Sequence, residues 1–304
     1  MLSRRTVRNV ALQTLLAAGA LLLAILAAET VARRRYPDLR YDASRQQRPD
    51  ELFMRFDARY GWSNLPDRRV RFHRVDFDTQ VTINQEGFRG ASVPRERTPG
   101  VSRILVLGDS YGFGHGVEDR ETAASLLARD VPATEVVNLS VTGYSTDQQL
   151  LLLRDRGLAW NPDLVILFLC ANDLMDNGRD VAWGLYPKPR FVLRGDSLVL
   201  EKETLSEGVP WRVALQRELR RRFVLYDVIA YRLARGRSQG EGDPPAAGGQ
   251  GMLNAHEMTR RLLEEMAATC LRHNAGFLIA PVPPFPAPEV YTDLVSGGSA
   301  GLVD

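Results

Sequence analysis

Arg103-Ile104-Leu105-Val106-Leu107-Gly108-Asp109-Ser110 is the stretch on which the reading of the fold turns. Its unbroken apolar run suits a strand buried on both faces, and the small polar residues after it suit a sharp turn into a helix. Such a turn exposes a serine hydroxyl, while the first free N–H groups of the helix point toward any negative charge that develops there. Ser110 is therefore the candidate nucleophile, and ester chemistry is the first expectation.

Outward from this stretch, strand-like and helix-like patterns alternate. Strands are expected near 103–108, 134–139, 163–170 and 276–282, with helices near 119–130, 146–158, 211–235 and 252–274. This alternation implies a three-layer α/β/α domain with a doubly wound, mainly parallel sheet. The stretch 236–251, rich in Gly, Pro, Ser, Gln and Ala, reads as a flexible insertion within a domain spanning 101–304.

Composition narrows the function classes. The chain has 304 residues, 44% of them hydrophobic, which is ample for a core. With 39 basic and 37 acidic side chains the formal charge is +2, so no nucleic-acid partner is expected. The two cysteines, Cys170 and Cys270, make no disulfide framework, and Cys170 reads as a small buried core residue. No His and Cys cluster has ligand spacing, so neither a metal nor any other cofactor is expected. Gly112, Gly114 and Gly116 lack the Lys-Ser or Lys-Thr of a phosphate loop and the spacing of a dinucleotide fingerprint.

Residues 1–35 form a membrane anchor with its flanks. Residues 10–28 approach the roughly 20 apolar residues of a spanning helix. Arg4, Arg5 and Arg8 precede them and Arg33, Arg34 and Arg35 follow, so the charges leave the orientation open. A cleaved signal peptide is the competing reading, but the apolar stretch exceeds the usual length of such a core. Residues 36–100 read as a stalk and a small β-rich lead-in, with alternation at Phe77, Thr79, Val81 and Ile83. Trp62, Phe88 and Arg89 are either substrate-facing or, more commonly for such residues, packing and solvated surface. Arg220, Arg221 and Arg222 beside Phe223 and Leu225 either touch anionic lipid or form the solvent face of an amphipathic helix, the second being the ordinary case.

Three segments follow expected strands and so fall at the carboxyl edge of the sheet, where open α/β folds place their sites. They are Gly108-Asp109-Ser110, the run Asn138-Leu139-Ser140-Val141-Thr142-Gly143, and Asn172-Asp173. Gly143 lets backbone approach a substrate and offers its N–H, and Asn172 can aim an amide at the same oxygen. Taken singly, Asp109 or Ser110, Gly143 and Asn172-Asp173 are better explained as caps and turns. Their order, each after a strand, favours a site.

At these residues the chain resembles the SGNH hydrolases, or GDSL esterases and lipases, over roughly residues 103–282. The resemblance implies a flavodoxin-like SGNH hydrolase fold and a nucleophilic Ser110. It also implies an oxyanion hole made by the N–H groups of Ser110 and Gly143 and the Asn172 side chain, supported by Asp109 and Asp173. The lead-in, with Gly61-Trp62, Ile83-Asn84 and Gly87-Phe88-Arg89, looks like that of membrane-anchored bacterial members. That likeness implies a single pass through the bacterial cytoplasmic (inner) membrane, an extracytoplasmic catalytic domain, and ester or acylated carbohydrate substrates.

The family's fourth block, Asp-x-x-His, does not occur in residues 1–304. Residues 301–304 look like the start of a further strand, so the domain reads as C-terminally truncated. Of the histidines, His73 lies in the lead-in. His115 lies in a turn from which facing Ser110 is awkward, and His273 is expected at the opposite rim of the sheet. His256, at the start of the last helix, is the substitute base, although such a position more often holds a surface histidine. A membrane-anchored esterase is the first reading; a non-catalytic remnant that binds carbohydrate and an O-acyltransferase are the alternatives.

Overall fold

A computed structural model describes residues 4–36, 49–74, 76–182, 186–195, 197–201, 203–206, 250–283 and 301–302, together with positions 211, 215, 218–219, 222–226, 228–229 and 232. Two compact units make up the chain, residues 1–43 with 210–246 and residues 44–209 with 247–304.

In the first unit a single helix, α1 (Arg4–Arg35), contains the stretch Ala11–Arg35, whose mean hydropathy reaches 2.2. That length and composition suffice to cross a membrane. Leu15, Leu16, Leu21, Leu22 and Leu23 are all exposed, which is the all-round apolar surface of a helix without a water-facing side. Glu29 is buried, and a buried carboxylate needs partners. It accepts from the N–H groups of Val224 (3.1 Å) and Leu225 (2.9 Å) and pairs with Arg33 at 2.6 Å. Most described positions of 211–232 are helical, but Phe223 is not, so the expected helix 211–235 is interrupted there. Most of the expected insertion, 236–249, lies outside the described residues.

The second unit begins with α2 (Pro49–Leu52) and two antiparallel pairs. β1 (Met54–Asp57) pairs with β2 (Gly61–Asn64), setting Phe56 opposite Trp62; β3 (Arg68–His73) pairs with β4 (Asp78–Ile83), setting Val70 opposite Val81. The alternating units come after them as β5 (Ser102–Leu107), α3 (Ser110–Phe113), α4 (Ala123–Asp130), β6 (Thr134–Asn138), α5 (Thr146–Asp155), β7 (Leu164–Leu169) and α6 (Ala171–Asp176). Two small hairpins come next, β8 (Val181–Ala182) with β9 (Tyr186–Pro187) and β10 (Phe191–Arg194) with β11 (Ser197–Leu200). The chain closes with α7 (Gln250–Arg272), β12 (Gly276–Pro281) and β13 (Gly301–Leu302). Thus α7 begins at Gln250, inside the expected insertion.

The central sheet runs β13-β12-β7-β5-β6 with every pairing parallel. Alternate residues of its strands face opposite ways, as the two-residue period of a strand demands. Leu105, Leu107, Val165, Leu167 and Ile279 enter one core with Leu262 and Met266 of α7. Ile104, Val106 and Ile166 enter the other core with Ala124 and Leu127 of α4. Apolar residues on both faces of each strand therefore make three layers. Phe53, Trp62, Phe72, Ile83 and Phe88 join the first of these cores, so the lead-in packs as part of the same domain.

Arg103, the second residue of β5, is fully buried. Its guanidinium pairs with Glu135 at 2.5 Å and donates to the carbonyls of Arg95 (3.0 Å), Glu96 (3.0 Å) and Trp160 (2.8 Å). These charge-assisted bonds tie the end of the lead-in to the amino edge of the sheet. Arg103→Met leaves the three carbonyls without this donor, while Glu135 is partly exposed and keeps the Thr98 hydroxyl, so a loss of about 1–3 kcal/mol is expected. The urea midpoint of the full chain in detergent micelles measures it.

Candidate active site

Strand order reverses between β5 and β7, since the chain goes from β5 to one side for β6 and then returns to the other side for β7. The loops leaving β5 and β7 consequently diverge and leave a crevice at the carboxyl edge. Ser110 lies directly after β5, Gly143 in the loop after β6, and Asn172 in the first turn of α6 after β7.

These three segments are joined by short contacts. Val141 N–H donates to the Gly108 carbonyl (3.2 Å), and the Asn138 side-chain amide donates to the Gly112 carbonyl (3.0 Å). The Cys170 thiol donates to Asp109 Oδ1 (3.1 Å). Gly112 packs so tightly on the second segment that a β-carbon there would lie 2.4 Å from Ser140 Oγ. Gly143 adopts φ 81°, a left-handed conformation that side chains disfavour.

Asp109 caps α3 and accepts from Tyr111 N–H at 2.9 Å. Burial pushes its carboxyl above the ordinary range, opposed by hydrogen bonding from Tyr111, Cys170 and Asn172. Asp173 is fully buried, and burial together with the charges of Asp109 and Asp147 pushes it far up, against the Cys170 N–H and Lys188. Both aspartates are buried at the loops that follow β5 and β7. Cys170 is a core residue as expected and a hydrogen-bond donor besides.

Above them the surface opens. Ser110 and Gly143 are partly exposed and Asn172 is exposed. Among the described residues no group accepts from the backbone N–H of Ser110 or of Gly143. Unused donors at an accessible rim are what an oxyanion requires.

Several residues hold this edge in place. Trp62 donates its indole N–H to the Thr142 carbonyl (3.0 Å), and its own carbonyl accepts from Tyr144 hydroxyl (2.5 Å), so it grips both neighbours of Gly143. Arg89 donates to the carbonyls of Phe113 (3.1 Å), Gly114 and Val117 (2.6 Å) and to Asp119 (3.1 Å), fixing the turn that leaves Ser110. Trp62, Phe88 and Arg89 are 1%, 2% and 3% exposed, so all three pack rather than face substrate, and Arg89 is not solvated surface. Lys188, which the sequence reading passes over, is buried and pairs with Asp147 at 2.8 Å. A single lysine between two prolines reads as an ordinary loop, and nothing local marks it.

Among the described residues no histidine side chain is hydrogen-bonded to Ser110; His115 meets it only through its backbone N–H, which donates to the Ser110 carbonyl at 2.9 Å. His256 is half-buried near the start of α7, one turn before Thr259, whose hydroxyl accepts from the Asn177 amide (2.9 Å) just beyond α6. The His273 ring bonds the Thr269 carbonyl at 2.9 Å at the far end of α7, and His73 pairs with Asp78. The His115 ring stands edge-on to Phe72 (4.9 Å between centroids) and Phe77 (5.2 Å). Among the described residues no group of His, Cys, Asp and Glu is arranged to hold a metal ion.

Residues 106–297 match the model of the GDSL-like Lipase/Acylhydrolase family. Similar solved structures include the psychrotrophic esterase EstA from Pseudoalteromonas sp., at 15% identity over 66% of this chain and 76% of that one, TM-score 0.35. They also include the lipase Lip_vut3 from a goat rumen metagenome, at 12% identity over 67% and 80%, TM-score 0.36. A third is AlinE4, an SGNH-hydrolase family esterase, at 17% identity over 68% and 77%, TM-score 0.32. No curated protein matches the chain.

His115 gives the site edge a pH dependence. Burial and the nearby charges of Arg74 and Arg89 hold its imidazole below its ordinary pKa, so the folded state favours the neutral ring. That contribution is complete above the ordinary value of about 6.5 and declines as pH falls toward the lower folded value. The Tm of the full chain is expected to drop as pH falls below about 6.5, and His115→Phe to flatten that part of the profile. Parallel profiles for the two proteins would show that His115 contributes nothing to the drop.

Proposed function

Because the chain belongs to the GDSL-like lipase/acylhydrolase family, a family of ester hydrolases, we propose that it is a membrane-anchored serine esterase with Ser110 as nucleophile. The observation that carries this reading is the set of donors left unused beside Ser110. The N–H groups of Ser110 and Gly143 have no described acceptor, and Asn172, whose side chain also bonds Asp109, is exposed at the same crevice.

In the proposed reaction a base takes the Ser110 proton as Oγ attacks the ester carbonyl carbon. The resulting oxyanion is held by the Ser110 and Gly143 N–H groups and the Asn172 amide. Collapse expels the alcohol, and water then releases the acyl group from Ser110. Asp109 and Asp173 support the donors from below. Within residues 1–304 the substitute base proposed is His256, since His115 is packed between two phenylalanines and His273 lies at the far end of its helix.

Helix α1 would anchor the chain in the bacterial cytoplasmic membrane, with the catalytic domain on its outer side. O-acetyl esters of cell-envelope carbohydrate fit that placement and the family resemblance. A second reading is a carbohydrate-binding protein without turnover, which fits a crevice in which, among the described residues, no histidine side chain bonds Ser110. Acyl transfer would follow the same course with a sugar hydroxyl replacing water.

Hydrolysis of p-nitrophenyl acetate by the full chain in detergent micelles tests the assignment. Ser110→Ala and His256→Ala are each expected to lower kcat by a factor on the order of 10⁴ or more. Asn172→Ala should lower it by about 10²–10³ with KM little changed. A folded chain with no turnover dependent on Ser110 but with polysaccharide affinity would establish the second reading. Unchanged activity in His256→Ala would move the base elsewhere.

A further inference from the structure

An ammonium group has three N–H bonds, and Lys188 donates two hydrogen bonds and makes one ion pair inside the protein. Its Nζ lies 2.8 Å from Asp147 Oδ2, 2.5 Å from Ser145 Oγ and 2.8 Å from the Asp176 carbonyl. Neither charged side chain of the pair reaches solvent, with exposures of 1% for Lys188 and 0% for Asp147. The backbone N–H of Lys188 is itself fixed on the Asp180 carbonyl at 2.9 Å.

The three partners belong to the two elements that carry the oxyanion donors. Ser145 lies two residues after Gly143 and caps α5, and its hydroxyl also donates to Asp147 Oδ1 at 2.9 Å. Asp176 is the last residue of α6, one turn beyond Asn172. The Asn177 side chain spans the same gap, accepting from Asp147 N–H at 3.3 Å. We propose that Lys188 is a positioning residue of the oxyanion site, pinning the Gly143 loop to the helix of Asn172 and thereby setting the separation of their donors. Its effect on rate rests on the esterase reading, and its effect on the loops on geometry alone.

An ion pair that served only stability would be replaceable by an apolar pair of similar volume, because burying two charges costs about as much as their attraction returns. Two directional bonds, to the Ser145 hydroxyl and the Asp176 carbonyl, do something an apolar pair does not: they fix two backbone segments at one spacing. Misplacing a catalytic group by about 1 Å costs on the order of 10² in rate.

The test compares Lys188→Met and the double variant Lys188→Met/Asp147→Asn with the parent chain in detergent micelles. Steady-state hydrolysis of p-nitrophenyl acetate and amide hydrogen exchange are measured together. Lys188→Met is expected to lower kcat about 100-fold with KM changed less than about threefold, because the donors act mainly in the transition state. Exchange in segments 141–149 and 171–177 is expected to quicken about tenfold or more, with strands β5 and β7 unchanged. The double variant, freed of the unpaired Asp147 charge, should regain Tm while keeping the kcat loss and the faster exchange. Recovery of kcat along with Tm, or unaltered exchange in a folded Lys188→Met chain, would overturn the proposal. Should the parent show no hydrolysis dependent on Ser110, the esterase reading falls, and exchange alone decides whether Lys188 holds the two segments.

Discussion

β5 lies between β6 and β7, parallel to both, and the rest of the second unit depends on that placement. The connection leaving β5 runs to β6 on one side and the chain leaving β7 goes on to β12 on the other, so the loops at these two neighbouring carboxyl ends part. The register carries the constraint into detail. Leu105 stands opposite both Val137 and Val165, and Leu107 opposite Leu167, so the ends of β5 and β7 lie side by side. The residues just beyond Leu107 and Leu169 then share a crevice, and these residues are Gly108-Asp109-Ser110 and Cys170-Ala171-Asn172. The meeting of Ser110 and Asn172 at one edge is therefore a property of the sheet before it is a property of their side chains.

Holding the crevice open to solvent while its floor stays dry requires polar groups in the interior. Asp109, Asp147 and Asp173 are all buried there, with one buried cation, Lys188, on Asp147. Uncompensated carboxylates in such a place favour the protonated form, which is the direction burial pushes Asp109 and Asp173. The Cys170 thiol is pushed up by the same burial and by Asp109, so it stays protonated and remains a donor. Each group thereby keeps a role as donor or acceptor to backbone that would otherwise be free to move.

The central strands were legible because an apolar run buried on both faces has no other simple reading, and the expected 163–170 strand became Leu164–Leu169. Ser110, Gly143 and Asn172 were legible because each comes after such a run. The small hairpins β8–β9 and β10–β11 were not, since two- and four-residue strands carry too few side chains to show a period. Arg89, Arg103 and Lys188 escaped for a different reason. A charged residue reads as surface unless its partners are known, and here the partners lie far along the chain: Arg103 meets the Trp160 carbonyl 57 residues away, and Lys188 meets Ser145 43 residues away.

The family match begins at residue 106, yet the parts that hold the site begin earlier. Trp62 bonds on either side of Gly143, Arg89 bonds three carbonyls of the turn after Ser110, and the Tyr60 carbonyl accepts from Gln148 in α5 at 2.7 Å. A lead-in serving only as a spacer would not need an indole N–H and a guanidinium committed to the backbone of two loops. Nor would it place Phe53, Phe72 and Phe88 in the core that also holds Leu105 and Leu107. Removing it would strip that core of large side chains and leave loop carbonyls unpaired in the interior, two costs that fall on the same edge of the sheet. The smallest portion of the chain able to keep Ser110, Gly143 and Asn172 in this arrangement therefore starts before β1, not at the strand that leads to the serine.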